Sequence, residues 1–141
     1  MSEYSENKTQ FKDADTLCEA LHELGFDASM IERHENAVSL VDFQGHKTHY
    51  LDEKGDKAEI IIRRVHIGSS ANDIGFKKNP DGTISAIISA YDSHRYGQAW
   101  LTKLKAAYCE KGCMKQGKKM GLRFAGKKIV NGKVQLQFLQ A

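Results

Sequence analysis

Two short spacings in the sequence combine side chains that bind metals. His46-Lys47-Thr48-His49 carries two imidazoles three positions apart, and Cys109 and Cys113 would place both thiols on one face of a helix. Together the four side chains would complete a tetrahedral zinc site, although structural zinc sites usually use Cys-x-x-Cys pairs. Lys111 and Lys115 flank the cysteine pair and would favour a reactive thiolate, so a metal- or redox-linked protein is one hypothesis. Packed, inert thiols are the simpler interpretation, and no metal or other cofactor is expected.

Known catalytic motifs are absent from the sequence. It contains no Gly-x-Ser-x-Gly elbow, no Walker loop and no Rossmann glycine fingerprint after a predicted strand. The polar turn at residues 68–73 could offer backbone amides to an anion, but an ordinary connection between strands is the simpler interpretation. Asp73 and Asp92 flank a predicted hairpin, with His66 and His94 near them in sequence, so a cluster of His and Asp side chains is a further hypothesis. The sequence favours a binding protein over an enzyme.

Charge divides the chain into an acidic part and a basic part. The 141 residues carry a net charge of +3, yet residues 1–102 have 11 Lys+Arg and 17 Asp+Glu, and residues 103–141 have ten and one. Clustered cations bind phosphate chains by releasing counterions, so nucleic-acid binding is an alternative function, with Phe124 as a stacking residue. A solvated surface that balances the acidic part is the competing interpretation. The ten cations are Lys103, Lys105, Lys111, Lys115, Lys118, Lys119, Arg123, Lys127, Lys128 and Lys133.

The first half of the chain predicts strands around one helix. Residues 4–11 predict an edge strand, and leucines at helical spacing then predict a helix capped by Asp13 or Asp15 and closed by Gly25. Residues 29–33 and 38–43 predict two strands separated by a polar turn at residues 34–36. Residues 44–57 are polar and aperiodic, which predicts a mobile loop. The isoleucine-rich residues 58–65 then predict a central strand covered on both faces.

The second half predicts two hairpins around a long helix. Asn79-Pro80-Asp81-Gly82 joins two alternating runs into a β-hairpin, because proline and glycine supply the φ values of a tight turn. An apolar stripe from Trp100 to Tyr108 predicts an amphipathic helix, which should fray or break near Gly112 because Gly112 and Gly117 weaken it. Asn131-Gly132 predicts a type I′ turn in a second hairpin.

These elements predict an α+β fold with a mostly antiparallel sheet and two helices on one face. The layout would be ferredoxin-like or a duplicated β-α-β-β unit, and the sequence does not determine the order of the strands. The length predicts a single domain over residues 1–141. No apolar run approaches the roughly 18 residues that a membrane-spanning helix needs, so no membrane partner is expected. Residues 1–10 lack the apolar segment of a secretion signal and the three cysteines cannot all pair, which together favour a cytoplasmic protein.

Several segments together resemble a known family. They are Asn7-Lys8-Thr9-Gln10, the helix with Leu17, Leu21 and Leu24-Gly25, Asp73-Ile74-Gly75-Phe76, the helix from Leu101 to Tyr108, and Lys118-Lys119-Met120-Gly121. The chain is similar in these segments to the family of hypothetical chloroplast reading frame 35, also called domain of unknown function 1257. The resemblance implies a compact α+β domain with no assigned activity or cofactor. It also implies a protein partner, with an AAA-type ATPase as the candidate.

The leading prediction is therefore a small, non-catalytic binding or adaptor domain that recognises a protein partner through its sheet face or its long helix. Nucleic-acid binding by the ten cations and a metal- or redox-linked role of Cys109 and Cys113 stay as alternatives.

Overall fold

The computed structural model describes residues 3–140, so residues 1, 2 and 141 of the predicted single domain lie outside it. Three short 3-10 turns connect the elements, at Ala28–Met30, Arg64–His66 and Ala90–Asp92. Across the described range, no helix is both long and apolar enough to cross a membrane. The elements are β1 (Tyr4–Lys8), α1 (Ala14–Glu23), β2 (Ile31–Ser39), β3 (Lys57–Ile62), β4 (Ile74–Lys78), β5 (Ile84–Ser89), α2 (Ser93–Tyr96), α3 (Gln98–Lys119), β6 (Leu122–Val130) and β7 (Lys133–Gln140).

The predicted α+β class is confirmed. Five strands form an antiparallel sheet in the order β1-β5-β4-β3-β2, and β6 and β7 form a separate two-stranded sheet. Strands β2 to β5 therefore follow one another as a meander. Strand β1 pairs with β5 at one edge of the sheet, in agreement with the edge strand predicted at the start of the chain. The hairpin between β4 and β5 turns at Gly82, whose φ of 88° is the positive value that its turn requires.

Helices α1 and α3 pack on one face of the sheet, as predicted. Their apolar stripes meet Ile60 and Ile62 of β3 in one buried cluster that also contains Leu17, Leu21, Trp100, Leu101 and Leu104. Asp13 caps α1 by accepting a hydrogen bond from the Thr16 amide, and Gly25 follows its end with positive φ. The Tyr108 hydroxyl on α3 accepts hydrogen bonds from the amides of residues 12 and 13. This contact fixes the start of α1 against α3.

A loop covers the opposite face of the sheet. Ile61 of β3 points to this side and packs with Tyr4, Leu40, Ala58 and Ile87. The loop at residues 40–56 has no helix or named strand of its own, as predicted, and its Tyr50 ring lies 6.4 Å from the Tyr4 ring. The buried Asp56 carboxylate organises the loop, because it accepts hydrogen bonds from the Thr48 hydroxyl and from the amides of residues 50, 51 and 52. The central strand β3 is therefore covered on both faces, as predicted, whereas Glu6 and Lys8 of β1 stay exposed on the loop side. The mobility of residues 44–57 stays a prediction.

The predicted turn at residues 34–36 is wrong, because these residues lie inside the continuous strand β2. The pairing of β2 with β3 shifts register between Arg33 and Val38, which is a bulge that takes up the polar residues without ending the strand. His34 stays in the strand and contacts the Glu32 carboxylate at 2.9 Å. The last residues of the predicted second strand, 40–43, belong to the loop instead.

The predicted break near Gly112 is also wrong, because α3 runs without interruption from Gln98 to Lys119. On both sides of Gly112 the helix is held to α1 by the ion pairs of Lys111 with Glu23 and of Lys115 with Glu19. At Gly117 the hairpin of β6 and β7 packs on the helix. A Cβ atom at Gly117 would lie 2.7 Å from a ring carbon of Phe138 on β7, so this glycine permits the close approach. The hairpin turn itself is confirmed: Asn131 and Gly132 have φ of 51° and 76°, as a type I′ turn requires.

The two glycines of α3 should respond in opposite ways to alanine. Gly112→Ala should raise the free energy of unfolding by up to about 1 kcal/mol, because alanine favours the helix and no atom lies within 4 Å of the added methyl group. Gly117→Ala should lower it, because overpacking against Phe138 costs about 1–3 kcal/mol and exceeds that gain. Urea denaturation measures both variants, and hydrogen exchange should show weaker protection of the β6 and β7 amides in Gly117→Ala only. Equal stabilisation by both substitutions would contradict the packing role of Gly117.

Candidate functional site

The C-terminal arm, which we define as residues 109–140, consists of the end of α3 and the hairpin of β6 and β7. The hairpin packs on α3 with the Phe138 ring against Gly117, and the Phe124 ring lies edge-on to Phe138 with a centroid distance of 5.8 Å. A two-stranded sheet is marginal on its own in water, so the hairpin depends on this helix. Phe124 is half-buried and lies on the face of the hairpin opposite Arg123. This position does not favour the predicted stacking of Phe124 on a base.

Three of the ten cations predicted to bind nucleic acid form ion pairs within the fold. Lys111 pairs with Glu23 at 3.2 Å and Lys115 pairs with Glu19 at 3.0 Å, and both pairs join α3 to α1. Lys127 on the hairpin lies 3.2 Å from a Glu110 oxygen on α3. The charge of these three side chains is largely balanced, and their main effect is to hold neighbouring elements together.

The other seven cations have no carboxylate at ion-pair distance within residues 3–140. Arg123, Lys128 and Lys133 share the outer face of the hairpin, as the cross-strand register shows. Lys118 and Lys119 form the end of α3, and all five are exposed. The two remaining cations, Lys103 and Lys105, are exposed on the first half of α3. The structure therefore leaves a basic surface of seven side chains, five of them around the arm.

Apolar side chains are exposed at the tip of the hairpin. Ile129 and Val134 are cross-strand partners on the face that carries Phe124 and Phe138, yet they are 75% and 60% exposed. Leu139 is also exposed. Strand β7 pairs with β6 on one side, and no strand in the described range pairs with its other edge. The arm therefore presents apolar side chains next to an unpaired strand edge.

The candidate metal ligands lie on different sides of the sheet. Cys109 and Cys113 are exposed on α3, whereas His46 and His49 belong to the loop on the opposite face. Within residues 3–140, no group of three His, Cys, Asp or Glu side chains could hold a metal ion. The structure thus brings the two cysteines together, as their spacing predicts, but does not bring the histidines to them.

The hypothesised cluster of His and Asp side chains does not form in the described residues. Asp73 is 1% exposed, and its Oδ2 accepts hydrogen bonds from the Val41 amide and the Arg63 guanidinium, each at 2.8 Å. Its Oδ1 accepts one from the Arg64 amide at 2.7 Å. Asp92 instead accepts from the backbone and side-chain nitrogens of Asn72. Both carboxylates are used by the fold, and neither contacts a histidine.

Beside Asp73 lies an open cleft of about 1100 Å³, which we call the basic cleft. Four cations line it, and Asp73 is the only carboxylate among its lining residues. The polar turn at residues 68–73, which the sequence offers as a possible anion site, supplies Gly68, Ser69 and Asp73 to this cleft. Sequence reasoning missed the cations, because the loop and the two ends of β3 supply them from separate segments. Their one local signal was Arg63-Arg64 directly after a buried strand. The cleft is lined by Ala37, Val38, Ser39, Val41, Lys47, Lys57, Arg63, Arg64, Val65, Gly68, Ser69 and Asp73.

No family model, curated protein or solved structure matches the chain. Membership of the chloroplast reading frame 35 family therefore stays a prediction, and function has to be inferred from the surfaces described above.

The ion pairs of Arg63 make stability depend on pH. The Arg63 guanidinium donates to Glu32 at 2.8 Å and, with a smaller contribution from His34, holds the pKa of Glu32 below its ordinary value. A lowered pKa in the folded protein stabilises it above the unfolded pKa, near 4.3, and this contribution is lost as the pH falls through the folded value. Glu32→Gln should flatten the acid side of the stability curve, measured by urea denaturation between about pH 3 and 6. Asp15→Asn, which alters the exposed Asp15–Arg33 pair, is the control and should change the curve less.

Proposed function

We propose that the protein is a non-catalytic binding domain that captures a protein partner with its C-terminal arm. The observation that carries this proposal is the unpaired edge of β7 next to the exposed side chains of Ile129 and Val134. Exposed apolar groups on a free strand edge are unusual in proteins that stay alone, because such an edge is a template for pairing with another chain.

The rest of the fold supports this choice of surface. The sequence pointed to either the sheet face or the long helix, but α1 and α3 cover one face of the sheet and the loop at residues 40–56 covers the apolar part of the other. Proteins commonly block a free edge with charged residues, proline or a bulge. Between Val134 and Gln140, β7 carries none of these devices, and the bulge near Gly126 lies on its partner β6.

The chemistry of the arm indicates an extended, acidic partner segment. A segment added beside β7 would form main-chain hydrogen bonds with its edge and bury the apolar side chains at the tip. Lys128 and Lys133 on the outer face would then attract acidic side chains of that segment. The resemblance to the chloroplast reading frame 35 family adds an AAA-type ATPase as the candidate partner.

Removing the apolar tip should abolish capture. The double variant Ile129→Asp and Val134→Asp should lose at least about tenfold in affinity, because each buried apolar side chain contributes roughly 1.5–3 kcal/mol. The partner is captured from extract of the native host, identified, purified and titrated by calorimetry. Hydrogen exchange should then show that the partner protects the outer amides of β7.

Val65→Asp is the matched control, since Val65 is equally exposed but lies in the basic cleft. It should leave the affinity unchanged. Equal loss in Val65→Asp, or a partner that leaves β7 exchange unchanged, would contradict the proposal. Light scattering of the protein alone tests the case in which a second copy occupies the edge.

Nucleic-acid binding is a second candidate, and the seven cations without a carboxylate partner favour it. Residues 111–140 contain no acidic residue, so their cations can be balanced only by carboxylates from other parts of the chain or by a ligand. A phosphate chain could neutralise Arg123, Lys128 and Lys133 along the outer face of the hairpin, with Lys118 and Lys119 beside them.

Salt dependence distinguishes this candidate from protein capture. If four phosphates are neutralised, the Kd for duplex DNA should rise by about 100-fold between roughly 50 and 200 mM salt, measured by fluorescence anisotropy. Replacing Lys118, Arg123, Lys128 and Lys133 with glutamine should abolish this binding. Glutamine at Lys47 and Lys57, which lie in the basic cleft, should not. Absence of binding to DNA and to single-stranded RNA at low salt would eliminate the candidate.

A further inference from the structure

We propose that the basic cleft is a second binding site and that it takes a small phosphorylated ligand with an apolar body, of the nucleoside phosphate class. The site uses no residue of the C-terminal arm, so it is independent of the function proposed above. Four properties of the cleft support the inference: its charge, its apolar wall, its size and the rigidity of its base.

The charge of the cleft is an uncompensated excess of cations. Lys47, Lys57 and Arg64 have no carboxylate at ion-pair distance within the described residues. Arg64 donates one hydrogen bond from Nη1 to the carbonyl of Phe43, and the rest of its guanidinium is left for another acceptor. Lysine and arginine together are the side chains that proteins use for phosphate groups.

The one acid in the cleft does not cancel this charge. Asp73 is paired with Arg63, and both of its carboxylate oxygens are already occupied. Glu32 also pairs with Arg63, from outside the cleft lining. Arg63 is therefore neutralised by two carboxylates, and the three other cations stay available to an anionic ligand.

A further cation lies behind the polar turn at residues 68–73. Gly68 lines the cleft, and a Cβ atom added there would come within 3.3 Å of Nη1 of Arg95. Arg95 extends over the Tyr96 ring, 5.2 Å from its centroid, which orients the guanidinium on that side. This charge adds to the positive field at the end of the cleft formed by Gly68 and Ser69.

The apolar wall indicates that the ligand is more than a phosphate ion. Val65 is 77% exposed at the cleft, and Ala37, Val38 and Val41 form the rest of this wall. A single exposed valine needs no explanation, but four small apolar side chains around one group of cations match a ligand that is part apolar and part anionic. Small-ligand sites usually measure about 300–1,000 Å³, so a cleft of about 1100 Å³ is large enough for a mononucleotide.

The base of the cleft is preorganised. Arg63 is fixed by Glu32, by the carbonyl of Ser39 and by Asp73, in contacts of 2.8, 3.1 and 2.8 Å. The same Asp73 holds the Arg64 amide, so the backbone that carries the available guanidinium is fixed as well. A ligand would therefore meet two arginines whose backbone positions are already ordered, which lowers the entropic cost of binding.

Isothermal titration with three probes at low salt tests the proposal. ATP should bind, adenosine should bind at least about tenfold more weakly because it lacks the anionic part, and tripolyphosphate should bind more weakly than ATP because it lacks the apolar part. The double variant Lys47→Gln and Arg64→Gln should weaken ATP binding by about tenfold or more. Lys118→Gln with Lys128→Gln removes the same charge from the arm and should leave ATP binding within about twofold.

Three results would overturn the inference. They are absence of ATP binding at millimolar concentration, equal affinity for ATP and tripolyphosphate, and equal loss of affinity in the cleft and arm variants. Arg63 is left intact because its pairs hold the fold, and the thermal unfolding midpoint of each variant confirms that the compared proteins are folded. If ATP changes the amide chemical shifts of residues 63–69 more than those of other residues, that result would support the location of the site independently.

Discussion

The buried carboxylate of Asp73 connects parts of the chain that no helix or strand joins directly. It binds the backbone after β2 at Val41, the backbone after β3 at Arg64 and the guanidinium of Arg63, while the carbonyl of Asp73 accepts from the Tyr4 hydroxyl on β1. A buried charge is costly unless it is paired and fully hydrogen-bonded, and removing one partner of such a pair costs about 3–5 kcal/mol. The arrangement of loop, sheet end and cleft therefore depends on this one group being satisfied.

The same constraint links stability to the proposed ligand site. The charge of Arg63 stabilises the fold, because it neutralises Asp73 and Glu32. Its neighbour Arg64 contributes only its backbone amide to Asp73, so most of its guanidinium is left for other acceptors. Two adjacent arginines with the same chemistry thus have different roles. The difference comes from which side chain reaches the buried carboxylate, and the sequence alone does not show it.

Local chemistry explains what the sequence predicted well. The turns at Gly82 and at Asn131-Gly132, the cap at Asp13 and the covered isoleucines of β3 follow from φ preferences and short-range periodicity. The two errors lie where distant residues decide the outcome: pairing with β3 on both sides of residues 34–36 keeps β2 continuous through the bulge, and Phe138 makes Gly117 useful inside α3. The cations of the basic cleft were missed for the same reason, since Lys47, Lys57 and Arg64 approach one another only after the loop folds back on the sheet.

The basic last part of the chain shows why net charge alone does not identify a binding surface. The two interpretations of its lysines, balance and binding, are usually treated as exclusive. Here Lys111 and Lys115 pair with Glu23 and Glu19 of the acidic part, as charge balance requires, while Arg123, Lys128 and Lys133 on the outer face of the hairpin have no such partner in the described residues. The position of each side chain decides which interpretation applies to it. A lysine on the side of α3 that faces α1 meets acidic side chains, whereas a cation on the outer face of the hairpin meets solvent. Charge balance therefore explains the lysines that form ion pairs, and binding is left to the cations that do not. Only the unpaired cations can bind a partner without the loss of an ion pair within the fold.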